Sequence, residues 1–402
     1  MKILFVSQWY SPEPDGRVSA LAEGLVSLGH EVMVITGFPN YPKGDIYPGY
    51  KIKWRQWEKL NGISVLRLPL YPDHSHSVIK RAFNYISFNL SLFLIAPWFI
   101  NKPDVIWSYT PFMSLPTLWF HKIFKVPYVM EIADVWPDTI TSTGMMEKGV
   151  AVNILSFVAQ LAYKNAAAIT VQNHGFKPCL IERGAEPEKI KIIENWADEK
   201  LYHPLDYNVE LAKEYNMDNK FNVMFAGNMG LAQGLDNVIT AAKYCEKEKK
   251  IQFIFIGDGG CLNNIKLRVK KEKIDNVLFI SRKPAEEMAG FFAIADILLV
   301  SLKDDPVFEI TLPAKTQSYL ACGRPIIIVK RGEDAKMLEE EGAALMCEPD
   351  NPEILAGVVM RFFNLESEMQ NKMGQAGLKL YKEKFTKEKL LKKMEEVLQS
   401  AI

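Results

Sequence analysis

The chain has 402 residues, 48% of them hydrophobic and 24% charged. That is the balance of a soluble globular protein with room for two or three domains, and it excludes disorder over the whole length. Lys plus Arg and Asp plus Glu both number 48, so the basic excess of a nucleic-acid binder is missing and no nucleic-acid partner is expected. The five cysteines (Cys179, Cys245, Cys261, Cys322, Cys347) lie far apart without a CxxC pair. Neither a disulfide framework nor a zinc site is supported, and a reduced, cytosolic setting is the simplest expectation.

In chain order, Ile3–Val6 is too short an apolar run for a secretory signal and reads as the first strand of a buried parallel sheet. Strands are predicted next at Val32–Thr36, Val65–Leu68, Val105–Ser108, Tyr128–Met130 and Ala168–Val171. The intervening segments carry apolar residues at helical spacing, as in Val18, Leu21, Ala22 and Leu25. Past a polar linker near 195–208 the alternation restarts. Strands are predicted at Asn222–Ala226, Phe253–Ile256, Val277–Ile280, Ile297–Val300 and Pro325–Val329, with a helix over Asp236–Glu246. This grammar predicts an α/β protein of two doubly wound Rossmann-like domains. They cover 1–197 and 208–385, and a last helix within 386–402 is expected to cross back to the first.

One segment breaks the pattern. Ala82 to Ile100 runs nineteen residues without a charge, between Lys80-Arg81 and Lys102. A buried or half-buried helix, an interfacial amphipathic helix and a true span all remain open, although Asn84, Asn89, the serines and Pro97 argue against deep insertion. Residues 41–130 hold eleven basic against four acidic residues, a local charge of +7, interleaved with Tyr47, Tyr50, Trp54 and Trp57. Such a surface suits anionic headgroups, and an ordinary solvated basic surface is the alternative.

Three loops carry candidate chemistry. Ser11 to Arg17 opens the first helix, where Gly16 allows close backbone approach and Arg17 adds a charge. Phe225 to Leu235, with Gly227, Gly230 and Gly234, repeats the device in the second half, and Gly257-Asp258-Gly259-Gly260 follows the next strand. Tight strand-to-helix turns would explain each glycine loop taken singly. The third segment, Glu309 to Pro325, places Glu309, Lys315, Gln317 and Ser318 around a helix start, with Gly323 marking the helix end. A carboxylate for hydroxyls and a cation for anionic oxygens suit a sugar with phosphates. Asp304-Asp305 resembles a metal site only superficially, since adjacent carboxylates diverge in an extended chain and no His joins them; no metal is expected.

With these residues in place, the chain resembles GT-B-fold glycosyltransferases of family 4, and within them bacterial O-antigen and capsule transferases, including proposed N-acetyl-L-fucosamine transferases. The resemblance rests on Gly37-Phe38-Pro39-Asn40-Tyr41-Pro42, Leu70 to Ser77, Asp134-Val135-Trp136-Pro137, Glu194 to Asp198, Gly227-Asn228-Met229-Gly230, and Leu312-Pro313-Ala314-Lys315 through Gly323. It implies two domains facing across a cleft and a retaining, metal-independent transfer without a cofactor. The donor would be a nucleotide sugar, with uridine the expected base, and the acceptor a polyprenyl-diphosphate-linked saccharide. The protein would then sit on the inner face of the cytoplasmic membrane through Lys80–Ile100.

The resemblance also implies site residues. The donor would meet Gly16 and Arg17 from the first half. From the second it would meet Gly227, Asn228, Met229, Gly230, Gln233, Gly257, Asp258, Arg282, Lys283, Thr311, Leu312, Pro313, Gln317 and Ser318. Glu309 and Lys315 would serve the transfer, Asp134 and Glu131 would orient or deprotonate the acceptor hydroxyl, and His74, His76, Asn40 and Tyr41 would contact the acceptor. The sequence departs from the family where an Arg and a Lys usually stand in the glycine loop, here Asn228 and Gln233. It departs again at Ala133, where a His is usual, and at the second of two paired glutamates, here Gln317 or Ser318. An epimerase or hydrolase of the same architecture and a non-catalytic nucleotide-sugar-binding subunit are the competing functions.

Overall fold

The computed structural model describes residues 1–14, 17–75, 77–109, 113–133 and 149–402, with the side chains of 78, 150 and 151 left aside. The chain forms two compact units. The first comprises Met1–Gln172, Phe176–Glu194 and Leu391–Ile402, and the second Asn173–Gly175 and Asn195–Leu390.

Among the described residues the first unit has an eight-stranded sheet. Its strands are β1 (Lys2–Val6), β2 (Glu31–Gly37), β3 (Gln56–Leu60), β4 (Ile63–Leu68), β5 (Val105–Tyr109), β6 (Tyr128–Ile132), β7 (Ala168–Val171) and β8 (Ile190–Ile192), in the order β3-β4-β2-β1-β5-β6-β7-β8. All pairings are parallel except β3 with β4. The chain winds outward from β1 through β2, then restarts at β5 on the other side, which puts a topological switch point between β1 and β5.

Sequence reasoning missed β3. Its residues Gln56-Trp57-Glu58-Lys59-Leu60 are half-exposed and charged, so no apolar run announces it. The signal lay in the turn. Asn61 and Gly62 both have positive φ (47° and 85°) between the paired Leu60 and Ile63. That is the two-residue hairpin that Asn-Gly favours.

The second unit has a six-stranded, fully parallel sheet. Its strands β9 (Phe221–Asn228), β10 (Ile251–Asp258), β11 (Val277–Ile280), β12 (Ile297–Ser301), β13 (Ile326–Val329) and β14 (Ala344–Cys347) lie in the order β11-β10-β9-β12-β13-β14. Both faces are buried, which is why its strands read as continuous apolar runs. Met224, Ile254, Ile256, Leu298 and Val300 enter one core cluster. Their neighbours Val223, Phe225, Phe253, Phe255 and Leu299 enter the other. The switch point here lies between β9 and β12.

The apolar segment forms the helix Val78–Leu94, capped by Ser77, followed by a 3₁₀ turn at Ala96–Trp98. No helix among the described residues is long and apolar enough to cross a membrane, so the spanning reading of this segment is set aside. The last helix, Lys387–Ser400, begins in the second unit and from Leu391 onward belongs to the first.

Candidate functional site

In open α/β sheets the groups that bind ligands collect beyond the carboxyl ends of the strands at the switch point. In the second unit those ends are Gly227-Asn228 on β9 and Ser301 on β12. The two glycine loops lie side by side there, and their glycines serve one another. Gly257 has φ 141°, and a Cβ on it would stand 2.1 Å from the carbonyl oxygen of Gly227. Gly259, at φ 152°, would bring a Cβ to 2.6 Å from the Met229 nitrogen. Only glycine lets the two backbones approach this closely. Met229 N–H donates to the Asp258 carbonyl (2.8 Å), and Cys261 N–H to the Met229 carbonyl (2.9 Å).

Two amides of this loop are engaged within the protein. The Met229 amide is bonded to Asp258, and the Gly230 amide donates to Gln233 Oε1 at 2.9 Å. Gln233 is thus a capping group of its own loop, its carbonyl accepting from Ser301 Oγ at 2.8 Å. The Met229 side chain is buried in the core. Asn228 and Asp258 remain exposed at the strand ends.

The group left over is Lys315. It opens the helix Lys315–Ala321, and its side chain runs inward. Its Nζ lies 3.7 Å from the centroid of the Phe225 ring, and a Cβ on Gly227 would come within 3.1 Å of it. Among the described residues this Nζ has no hydrogen-bond partner, and neither have Thr316 Oγ1 and Gln317 Oε1 on the same turn. Burial with no compensating charge pushes the amine down to about 7. Burying an amine without a hydrogen-bond partner is costly, and the ring face of Phe225 offsets only part of that cost. Sequence reasoning missed Phe225, because a strand phenylalanine carries no polar signal.

Glu309 ends a short helix, Pro306–Glu309. Its carbonyl accepts from Lys330 Nζ at 3.1 Å, and Gly332, at φ 111°, lies so close that a Cβ there would come within 2.0 Å of that oxygen. The carboxylate is half-exposed, with Arg331 Nη1 at 3.8 Å. Arg331 also holds Asp304 (2.8 Å) and Glu348 (2.7 Å), and Asp305 caps the Pro306 helix through Val307 N–H. The two adjacent aspartates therefore have structural work of their own. Thr311 Oγ1 donates to Val307 O (2.9 Å), and the Leu312 amide donates to Asn173 Oδ1 (2.9 Å). The Leu312 side chain is buried, whereas Pro313 and Ser318 are partly exposed. Arg282 is exposed just past β11. Lys283 is engaged elsewhere, lying over the Tyr215 and Phe291 rings with Tyr215 Oη accepting from it.

In the first unit Arg17 does not offer a free charge at the first loop. Its Nη1 donates to the carbonyls of Ile193 (3.0 Å) and Glu194 (2.9 Å), and its Nε pairs with Glu131 at 3.0 Å. Glu131 is fully buried and also accepts from Gln172 Nε2 at 3.0 Å. This corrects both assignments. The pair joins the first loop to the ends of β6 and β8, and Glu131 has no access to an acceptor hydroxyl. Asn40 is likewise buried, donating to Phe38 O (2.9 Å), and supports its turn from within.

Tyr41 and His74 do come together, with ring centroids 5.1 Å apart. Trp9 lies 5.4 Å from Tyr41 and 6.2 Å from Tyr85. Burial lowers the His74 imidazole from its ordinary value. Beneath them Glu13 Oε1 accepts from the Asn40 and Tyr41 amides (2.7 and 2.8 Å). Desolvation raises its carboxyl to about 7 against those hydrogen bonds. Trp9, Tyr85 and Glu13 were not singled out from the sequence, and only the pairing of distant loops brings them together. Gly16, His76 and Asp134 lie outside the described residues.

Comparison with known proteins follows the same division. Residues 15–196 match the glycosyl transferase 4-like domain, and residues 209–380 match glycosyl transferases group 1. The putative colanic acid biosynthesis glycosyl transferase WcaI of Escherichia coli strain K12 is 29% identical over 89% of this chain and 91% of its own. The probable glycosyltransferase WbjE of Pseudomonas aeruginosa is 27% identical over 66% of this chain and 68% of its own. Among solved structures, Anabaena Alr3699/HepE in complex with UDP and glucose superposes with a TM-score of 0.74 at 16% identity, each chain fully covered. The E. coli structure described as trehalose-6-phosphate bound with UDP-2-fluoro glucose gives 0.76 at 12% identity, covering 99% of each chain. With a family model on each half and this shared fold, the chain belongs to the group 1 glycosyltransferases of GT-B fold.

Proposed function

We propose that this protein is a retaining, metal-independent glycosyltransferase of surface polysaccharide synthesis. It would move a sugar, N-acetyl-L-fucosamine or a related amino sugar, from a UDP-sugar to a polyprenyl-diphosphate-linked saccharide at the cytoplasmic face of the membrane. The observation that carries the donor half is the buried Lys315 Nζ at the β9 strand end, which has no hydrogen-bond partner among the described residues. A diphosphate supplies the missing charge. The relatives WcaI and WbjE and the UDP-bound solved structures support the reading.

In the reaction the bond from the anomeric carbon to the diphosphate oxygen breaks through an oxocarbenium-like transition state. The acceptor oxygen bonds to that carbon on the same face, and its proton passes to the departing phosphate. Charge grows on the diphosphate as the bond breaks, and Lys315, already in place, stabilises it more than it stabilises the ground state. Glu309, half-exposed and loosely held by Arg331, is the carboxylate for donor hydroxyls. Tyr41, His74 and Trp9 offer a partly exposed aromatic surface for a saccharide.

Two measurements test this. UDP at about a hundred times its dissociation constant should stabilise the protein by about 2.7 kcal/mol, which a melting curve reads directly. Lys315→Ala should remove most of that shift and lower turnover with a lipid-linked acceptor by roughly a hundredfold or more. If no nucleoside diphosphate shifts the melting temperature, the donor reading fails. Unchanged UDP binding in Lys315→Ala removes the lysine from it.

A further inference from the structure

The helix Val78–Leu94 is apolar on both its buried and its exposed side, with Phe88 and Leu92 fully buried. Asn84 and Ser91 face inward and are buried. Asn84 Nδ2 donates to Tyr71 O at 2.7 Å and its Oδ1 accepts from Gln8, while Ser91 Oγ donates to Pro69 O at 2.6 Å. The outward face carries Ile79, Phe83, Ile86, Leu90 and Leu94, each 52–70% exposed. Their spacing of three and four residues sets them in one stripe along the helix. A surface helix in water normally keeps such a stripe off its solvent side. Trp98, just beyond the helix end, is 82% exposed.

The stripe has neighbours. Phe93 meets Trp119 with ring centroids 6.2 Å apart. The helix Ser114–Phe124 that carries Trp119 exposes Leu115, Trp119 and Ile123, again four residues apart. The helix Val150–Asn165, packed beside it, exposes Ile154, Phe157 and Leu161. At the far end Trp54, 59% exposed, meets Phe99 at 5.5 Å, with the Arg55 guanidinium over both rings. Three neighbouring helices and a loop thus each expose apolar side chains, more than scattered surface hydrophobes account for.

Charge decides what covers it. From His74 to Met130 the sequence has five Lys or Arg and one acidic residue, Asp104, whose carboxylate is engaged with the Lys2 amide at 2.6 Å. Lys80, Lys102, Lys122 and Lys125 are exposed around the apolar residues. Apolar side chains with exposed tryptophans and a cationic rim are the complement of an anionic bilayer surface.

We infer that this three-helix face of the first unit is a docking surface for an anionic lipid bilayer, into which the outer stripe of Val78–Leu94 and Trp98 insert. This deepens the membrane location proposed above by naming the surface, and it rests on that reading for location alone.

The test is co-sedimentation of the full chain with vesicles of phosphatidylcholine alone and of phosphatidylcholine with phosphatidylglycerol in equal parts. Binding should require the anionic lipid and weaken with added salt. Phe83→Ser/Leu90→Ser should reduce binding at least about tenfold, because the apolar surface that inserts is lost. Lys122→Glu/Lys125→Glu should reduce it on the mixed vesicles. UDP-induced thermal stabilisation should be unchanged in both variants, so a failed donor site and a failed docking surface give different results. Equal binding by wild type and Phe83→Ser/Leu90→Ser, or no binding to mixed vesicles, overturns the inference. So does a wild-type dimer in sedimentation velocity that the serine variant dissociates, since a second copy would then be the occupant.

Discussion

Lys315 shows how one residue carries a functional signal through its electrostatics. An amine held near 7 in the folded chain but near its ordinary value when unfolded binds fewer protons in the folded state between those limits. Stability without ligand should therefore rise as pH increases from about 7 toward 10.5 and be lowest below 7, where the buried group must stay charged. Lys315→Met should flatten that rise and stabilise the unliganded protein at pH 7, as read by melting temperature against pH. Diphosphate binding at pH 8 should draw a proton onto the amine. Calorimetry in buffers of different ionisation heat would show this in wild type and not in Lys315→Met. Glu13 gives the contrasting case, a carboxyl whose oxygen anchors two backbone amides. Glu13→Gln keeps an acceptor and should be tolerated. Glu13→Ala leaves both amides unpaired and should cost about 2 kcal/mol or more, measured by chemical denaturation.

Among the elements, the paired strand ends β9 and β10 owe their close approach to glycine. Gly257→Ala would place a methyl against the Gly227 carbonyl in a backbone conformation that alanine avoids. A loss of roughly 3 kcal/mol is expected. Gly260→Ala, with nothing within 4 Å of the added carbon, should be near neutral, and denaturant midpoints of the two variants separate the cases. The glycine motif was visible in the sequence, but its use was not. A pattern of glycines marks where backbone must pass closely without saying whether it passes a ligand or another strand. The helix Val78–Leu94 teaches the same lesson. Its uncharged run was legible, whereas the direction faced by Asn84 and Ser91 depends on Gln8, Tyr71 and Pro69, which lie on other segments.

For the whole molecule, the two-unit plan followed from βαβ periodicity, because strands buried on both faces must be apolar throughout and helices between them amphipathic. The return of the C-terminal helix is a packing fact. A Cβ on Gly24 would stand 2.5 Å from Leu391 Cδ2, and His30 Nε2 lies 2.8 Å from Glu395 Oε1. Leu398 is fully buried, so Leu398→Ala should cost about 2–5 kcal/mol, read from the unfolding of the first unit.

The sequence by itself determined the α/β class, the restart of the strand pattern after the linker and the presence of Lys315 at a helix start. Those depend on local periodicity and on residue types that act over a few positions. Only the tertiary structure decided which charges remain available. Arg17 and Glu131 neutralise each other, while Lys315 is left buried against Phe225. Whether a polar group has a partner depends on segments far away in the chain, and no local pattern encodes that.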